Sequence, residues 1–202
     1  MKWIWISGWA VPPERIKTLV AERWPEHVHV VVYPGMRWHE HVPRDGDAYF
    51  GHSMGAFLML RERGLFPLQA PRFLLAPFCA FPEEAGQGGR VRRAQLKRLL
   101  RWMKEAPLEA VRDFYKRADL PYSGATRLPY GKEDLRWGVE QLLESVADPA
   151  EAACVRAAWV GDKDSLLDAS KLAGTAPGLQ VINGPGHALE ELLPHVEDQD
   201  AI

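Results

Sequence analysis

The chain has 202 residues, of which 47% are hydrophobic, and a formal net charge of −2. This length supports one domain with a sizeable core and is short for two, so we expect one domain carrying an insertion. The small net charge excludes a global field that would attract nucleic acid or an acidic membrane surface.

The chain carries no signature of secretion or of a membrane anchor. Its two cysteines, Cys79 and Cys154, are too few for a disulfide framework, and no signal-peptide pattern precedes the first strand-like segment. No apolar run approaches the ~20 residues that span a bilayer. We therefore expect a cytoplasmic protein with no membrane partner.

The first part of the chain alternates between strand and helix patterns. Apolar runs that end at glycine, proline or a polar turn predict buried parallel strands at 3–7, 28–33, 48–50 and 72–76. Pro12 and Pro13 suit the first turn of a helix that Pro25 stops. Only about 13 residues, 34–46, connect the second and third strands. That length is close to the minimum for a parallel crossover, so a full helix is not expected there.

The periodicity changes after the fourth strand. Helical patterns are expected at about 91–104, 108–117 and 132–146, and strand character returns at 157–160 and 179–182. Alternating strands and helices predict an α/β fold with a mostly parallel sheet of about six strands. We assign residues 1–78 and 157–202 to its core and residues 79–156 to an inserted helical lid.

The stretch Tyr49-Phe50-Gly51-His52-Ser53-Met54-Gly55-Ala56 contains the pattern G-x-S-x-G between strand-like and helix-like runs. A sharp turn at this point holds the serine in a strained backbone conformation, and only small residues at Gly51 and Gly55 allow strand and helix to approach so closely. The pattern predicts that Ser53 is an exposed nucleophile. The alternative is a tight strand-to-helix turn without chemistry.

A serine nucleophile needs a histidine base, and the base needs a carboxylate to orient it. In this kind of fold the chain order is serine, acid, histidine. The loop Gly161-Asp162-Lys163-Asp164 places two candidate carboxylates at the end of a strand, where active sites of open α/β sheets lie. The loop Gly184-Pro185-Gly186-His187 follows the last strand and predicts His187 as the base. The alternative for His187 is a surface histidine that caps a helix.

Acyl transfer also requires two backbone N–H groups that face the developing oxyanion. The amide of Met54, directly after the serine, is the first. The turn after the first strand supplies the second, which is the amide of Trp9, with Gly8 giving room for close approach. The Trp9 ring is also suited to the core, and the two roles are compatible.

The run His39-Glu40-His41 carries residue types that bind metals. No third ligand follows at a useful spacing, so we interpret the run as a solvated loop. We expect no metal and no cofactor.

The segment 90–104 contains seven cations and no acid, with leucines and Met103 at helical spacing on another face. The cations are Arg90, Arg92, Arg93, Lys97, Arg98, Arg101 and Lys104. A solvated helix face is one interpretation, and a docking patch for an acidic partner is the other. Nucleic acid is not an expected partner, because no recognisable binding motif accompanies the charges.

Together these residues resemble the α/β-hydrolase superfamily and, within it, the pimeloyl-acyl-carrier-protein methyl ester esterases of biotin synthesis (the BioH family). The cues are Gly8-Trp9, Gly51-His52-Ser53-Met54-Gly55, Gly161 with Asp164, Gly186-His187, the helical lid and the lid segment 135–140. The spacing of that family implies Asp164 rather than Asp162 as the acid. Ser7 departs from the histidine that is usual before the Gly-Trp pair.

The resemblance implies a serine hydrolase that cleaves a carboxylic ester, in this family the methyl ester of pimeloyl-acyl-carrier protein. It also implies an acyl carrier protein as the acidic partner, for which Arg92, Arg93, Arg98 and Arg101 are the candidate docking residues. A thioesterase or a general short-chain carboxylesterase would use the same catalytic groups with another pocket. The hypothesis from another class is a hydrolase fold that binds a ligand without catalysis.

Overall fold

The computed structural model describes residues 1–176 and 178–196. Its strands are β1 (Lys2–Ile6), β2 (Val28–Val32), β3 (Ala48–His52), β4 (Arg72–Leu75), β5 (Val155–Gly161) and β6 (Leu179–Ile182). Its α-helices are α1 (Pro13–Arg23), α2 (Met54–Arg61), α3 (Arg93–Glu105), α4 (Pro107–Arg117), α5 (Lys132–Glu144) and α6 (Leu189–Leu192). Within the described ranges, no helix combines the length and apolar character needed to cross a membrane.

The strands form one sheet in the order β2-β1-β3-β4-β5-β6, and every neighbouring pair is parallel. This confirms the predicted parallel sheet of about six strands. Because all strands run the same way, their carboxyl ends share one edge, and the loops that carry Ser53, Asp164 and His187 meet there. The strand boundaries differ from the predicted ones by up to two residues, and β5 begins at Val155, which pairs with Arg72 of β4 across a register shift.

The central strands share a layer of buried aromatic side chains on one face of the sheet. Trp3 and Trp5 of β1 are 0% and 2% exposed. The Trp5 ring stacks on Phe50 of β3 with centroids 4.1 Å apart, and Phe50 stacks on Phe73 of β4 at 4.8 Å. These cross-strand ring contacts bury large apolar areas in the middle of the sheet, which fixes β1, β3 and β4 as its rigid centre.

The crossover from β2 to β3 contains a single 3₁₀ turn, Trp38–His41. Trp38 is buried within this turn, whereas His39 and His41 are exposed. The short length of the crossover explains this outcome, because a full helix and its two connections do not fit into 34–46.

Three helices lie between β4 and β5, in the region predicted to be a lid. α3 contacts both α4 and α5. Each helix buries one apolar face, with Met103 of α3, Val111 of α4 and Leu135 of α5 fully buried. We refer to residues 79–154, which form most of the connection from β4 to β5, as the helical insertion.

Candidate active site

Ser53 stands in a sharp turn between β3 and α2, with φ of 53° and ψ of −115°. A positive φ is rare for a residue with a side chain, so the surrounding backbone must hold the turn. A Cβ at Gly55 would overlap the carbonyl oxygen of Ile6, and one at Gly51 would lie 2.7 Å from the backbone nitrogen of Ala56. The two glycines of the motif therefore allow the close approach that the turn requires.

Ser53, His187 and Asp164 form a continuous hydrogen-bonded chain. The Oγ of Ser53 lies 2.8 Å from Nε2 of His187. The Nδ1 of His187 lies 2.7 Å from Oδ2 of Asp164. All three residues are buried, so the prediction that Ser53 is exposed is wrong, because residues of the helical insertion also line the cavity at this serine. A carboxylate on one ring nitrogen fixes the proton there and leaves the other nitrogen as an acceptor for the serine proton.

The carboxylate of Asp164 is held in place by its own loop. Its Oδ1 accepts hydrogen bonds from the backbone N–H groups of Leu166 at 2.8 Å and Leu167 at 2.9 Å. Asp162 has a different partner, since its Oδ1 accepts a bond from the Gly184 N–H at 2.8 Å. The structure thus places Asp164, and not Asp162, beside the histidine, while Asp162 joins the two loops.

The loop that carries His187 is positioned by backbone contacts and one carboxylate. A Cβ at Gly161 would overlap the Pro185 carbonyl, so the two loops touch through glycine. The Gly186 N–H donates to Oε2 of Glu191 at 2.5 Å. Glu191 was not singled out in the sequence, although an acid in the first turn of α6, just after the predicted base, is a local signal for such a contact.

The amides of Trp9 and Met54 have no hydrogen-bond acceptor among the described residues. Met54 is the first residue of α2, so its N–H has no partner within the helix and lies at the positive end of the helix dipole. The Trp9 indole is fixed from the other side, since its Nε1–H donates to the Leu135 carbonyl at 2.8 Å. Its ring packs so closely on Gly138 that a Cβ there would overlap it.

A narrow cavity, with room for about one water molecule, adjoins Ser53 and His187. Its walls are mainly apolar and come from both the sheet loops and the helical insertion. They include Trp9, Val11, Phe81, Phe114, Leu120, Leu142 and Leu166. An apolar cavity with a few convergent polar groups is the usual form of a small-molecule site.

His52 is a further buried polar residue of this cavity. Its Nε2–H donates to the backbone carbonyl of His187 at 2.9 Å. Desolvation, followed by the nearby His187, lowers the pKa of His52 to about 3, so the ring is neutral at ordinary pH. Its Nδ1 has no hydrogen-bond partner among the described residues, and it faces Gly8, where a Cβ would lie 2.9 Å away.

The four candidate docking arginines differ in whether their side chains contact other residues. Arg92 pairs with Glu83 at 2.9 Å, and the Arg93 guanidinium donates to the Leu143 carbonyl at 2.9 Å. Arg98 and Arg101 are exposed and make no ion pair with a described residue. Arg90, another cation of the same segment, donates to the backbone carbonyl of Asp164 at 2.9 Å.

An open groove runs beside the cavity, between α3 and α4. Its volume is about 170 Å³, and it is lined by Arg98, Leu99 and Trp102 among others. Phe114 and Leu166 line both the groove and the cavity, so these two side chains separate the two spaces. Across residues 1–176 and 178–196, no group of three or more histidine, cysteine, aspartate or glutamate residues could hold a metal ion.

No protein-family model matches the sequence, and no curated protein does. Solved structures do match. The esterase EaEST from Exiguobacterium antarcticum is 12% identical over 93% of this chain and 85% of its own, with a TM-score of 0.67. The esterase RhEst1 from Rhodococcus sp. ECU1013 is 16% identical over 98% and 86%, with a TM-score of 0.60. An α/β hydrolase from Sphaerobacter thermophilus DSM 20745 is 18% identical over 90% and 84%, with a TM-score of 0.58. The sheet and these likenesses confirm the predicted fold class: the chain has the α/β-hydrolase fold.

Proposed function

We propose that the chain is a serine hydrolase that cleaves a carboxylic ester. Ser53 is the nucleophile, His187 the general base and acid, and Asp164 the group that orients His187. The observation that carries this proposal is the hydrogen-bonded chain from Ser53 through His187 to Asp164 at the mouth of an apolar cavity. The esterases among the similar structures support the same class of reaction.

In the first half of the reaction, the Ser53 oxygen attacks the ester carbonyl carbon, and the serine proton passes to Nε2 of His187. The carbonyl electron pair moves onto its oxygen, and the amides of Trp9 and Met54 donate to that oxyanion. The tetrahedral intermediate then collapses. The bond to the alcohol oxygen breaks, the alcohol leaves with the proton from His187, and Ser53 remains acylated.

In the second half, water attacks the acyl carbon and gives its proton to His187. Collapse of the second intermediate releases the carboxylic acid and returns the proton to Ser53. The apolar walls of the cavity exclude bulk water and strengthen the electrostatic interactions with the oxyanion. The narrowness of the cavity in the observed arrangement favours a small acyl group.

The finer proposal is that the substrate is the methyl ester of pimeloyl-acyl-carrier protein in biotin synthesis, with the helical insertion, residues 79–154, as the lid. The resemblance of the sequence to that family supports it, as do the exposed Arg98 and Arg101 on the lid. An acidic carrier would be attracted to these cations, and Arg98 lies at the groove next to the cavity. A thioesterase or a general short-chain carboxylesterase is the second candidate, because the small apolar cavity carries no group that selects the leaving alcohol.

Hydrolysis of p-nitrophenyl esters by wild type and by Ser53→Ala tests the proposed reaction. We expect the wild type to turn over short-chain esters and the variant to lose on the order of 10³-fold or more in kcat. An undiminished rate in the variant would refute the assignment of Ser53. A panel of free methyl esters and the same acyl groups on acyl carrier protein then separates the substrate classes.

The hypothesis of a binding protein without catalysis has its own test. A fluorophosphonate probe reacts with an activated serine and forms a covalent adduct that mass spectrometry detects on a peptide. We expect labelling at Ser53 in the wild type and none in Ser53→Ala. Absence of labelling in the wild type would favour the non-catalytic hypothesis.

A further inference from the structure

The turn that carries the Trp9 amide has an unusual backbone. The Val11 N–H donates to the Gly8 carbonyl at 3.2 Å, which closes a four-residue turn. Its third residue, Ala10, has φ of 60°. Turns with a positive φ at this position usually have glycine or asparagine there, because the Cβ of any other residue is disfavoured in that conformation. Other contacts must therefore hold Ala10.

Both backbone polar groups of Ala10 are held by tyrosine hydroxyls of the helical insertion. The Ala10 N–H donates to the hydroxyl oxygen of Tyr130 at 2.8 Å, and the hydroxyl of Tyr115 donates to the Ala10 carbonyl. Burial raises the pKa of both phenols, so both are protonated at neutral pH. Tyr115 is fully buried in α4, and the Tyr130 ring stacks on Tyr33 with centroids 4.6 Å apart.

These two contacts fix the peptide planes on either side of Ala10. If Ala10 relaxed to a negative φ, the Trp9–Ala10 peptide would rotate and the backbone of Trp9 would shift. The Trp9 N–H belongs to the same turn and has no acceptor of its own among the described residues. Its direction therefore depends on how the turn is held.

We propose that Tyr115 and Tyr130 are positioning residues that hold the Trp9 amide in the geometry of the oxyanion hole. This inference rests on the proposed function. Because α4 supplies one hydroxyl and the loop before α5 supplies the other, docking of the helical insertion and assembly of the oxyanion hole are a single event. If the insertion is displaced, Ala10 loses both tyrosine contacts, and the Trp9 N–H no longer points at the oxyanion.

Single hydroxyl deletions test the proposal. Removing one oxyanion donor outright costs roughly 10²–10³-fold in kcat, so Tyr115→Phe and Tyr130→Phe, which only misplace a donor, should each lower kcat by about 10- to 100-fold with little change in KM. A trifluoromethyl ketone forms a reversible tetrahedral adduct on Ser53 that carries an oxyanion. Its affinity should fall by a factor similar to that in kcat.

Tyr122→Phe is the matched control. Its hydroxyl donates to Glu190 at 2.9 Å, and its ring contacts Tyr115, but it does not touch Ala10. It removes a partly buried hydroxyl from the same insertion and should keep kcat and inhibitor affinity near the wild-type values. Thermal unfolding of all three variants separates a loss of stability from a loss of positioning.

A rescue variant distinguishes backbone strain from general damage. Glycine adopts a positive φ without a steric penalty, so Ala10→Gly should restore part of the kcat that Tyr130→Phe loses. No recovery in the double variant would count against the proposal.

Failure of this inference is distinguishable from failure of the proposed function. Wild-type kcat in both phenylalanine variants of an active esterase would overturn the positioning role and leave the hydrolase assignment intact. If the wild type neither hydrolyses esters nor labels at Ser53, the proposed function fails. Amide hydrogen exchange of residues 8–11 then tests whether the two tyrosines hold this turn. Faster exchange in Tyr115→Phe and Tyr130→Phe than in Tyr122→Phe supports that role, and equal exchange overturns it.

Discussion

Asp164 Oδ2 lies 2.7 Å from His187 Nδ1, while the carboxylate of Asp162, two residues earlier, accepts a hydrogen bond from Gly184 of the neighbouring loop. Asp164→Asn should therefore lower kcat by about 10⁴-fold, because the amide stabilises the wrong histidine tautomer and does not stabilise the imidazolium. Steady-state hydrolysis of p-nitrophenyl esters measures this loss.

Asp162→Asn is the internal control for that prediction. The amide oxygen of the variant can still accept the hydrogen bond from Gly184, so we expect a loss of less than about tenfold in kcat. The opposite ranking of the two variants would contradict the assignment of the acid.

Gly55→Ala should destabilise the fold by at least about 2 kcal/mol, because its Cβ would overlap the carbonyl oxygen of Ile6 in the central strand β1. Urea denaturation of the variant measures this change in the free energy of unfolding. Gly124→Ala is the control, since a Cβ there meets nothing within 4 Å and should change stability by less than about 0.5 kcal/mol. Equal stability of the two variants would mean that the Ser53 turn can shift to make room.

His52 should make the folded state less stable as the pH falls. The unfolded chain binds a proton near the ordinary pKa of 6.5, whereas the buried ring has its pKa lowered to about 3. Its contribution to stability is therefore fully present above pH 6.5 and is lost as the pH falls from 6.5 towards about 3. Between about pH 7 and about pH 5 the wild type should lose about 2 kcal/mol more unfolding free energy than His52→Gln.

Urea denaturation at several pH values measures that difference. Glutamine removes the titrating ring and keeps an N–H donor for the His187 carbonyl, so most of the packing is retained. His195→Gln, at an exposed position, is the matched control and should retain the steep wild-type dependence on pH. Parallel curves for wild type and His52→Gln would contradict a neutral buried ring.

The fold could be predicted because its signals are local. Apolar runs such as 3–7, bounded by glycine or proline, gave all six strands to within a few residues. The two glycines around Ser53 indicated the sharp turn, because the motif itself requires small residues there, although the residue that crowds Gly55 is Ile6 of β1. The serine, the acid and the histidine each follow a predicted parallel strand, so their side chains were expected at the same edge of the sheet. The structure brings them within hydrogen-bond distance there.

The rest of the site depends on contacts between distant parts of the chain. Tyr115 and Tyr130 meet Ala10 across 105 and 120 positions, and alanine gives no sequence signal for a positive φ. The charges of residues 90–104 likewise do not indicate that Arg92 pairs with Glu83, because this acid lies outside that segment. Such contacts arise from packing of the helical insertion, which hydrophobic periodicity alone does not specify.

The last prediction concerns the proposed carrier. Arg98→Glu with Arg101→Glu should lower kcat/KM for an ester bound to acyl carrier protein and leave free p-nitrophenyl esters nearly unchanged, because both cations are exposed and neither contacts Ser53 or His187. The difference should shrink as salt rises, since the Debye length is ~8 Å at about 0.15 M. Lys17→Glu, a charge reversal at an exposed position of α1, is the control and should leave both substrates unaffected. Equal losses on both substrates would mean that the two arginines support the lid, and unchanged turnover of the carrier-bound ester would make them an ordinary solvated face.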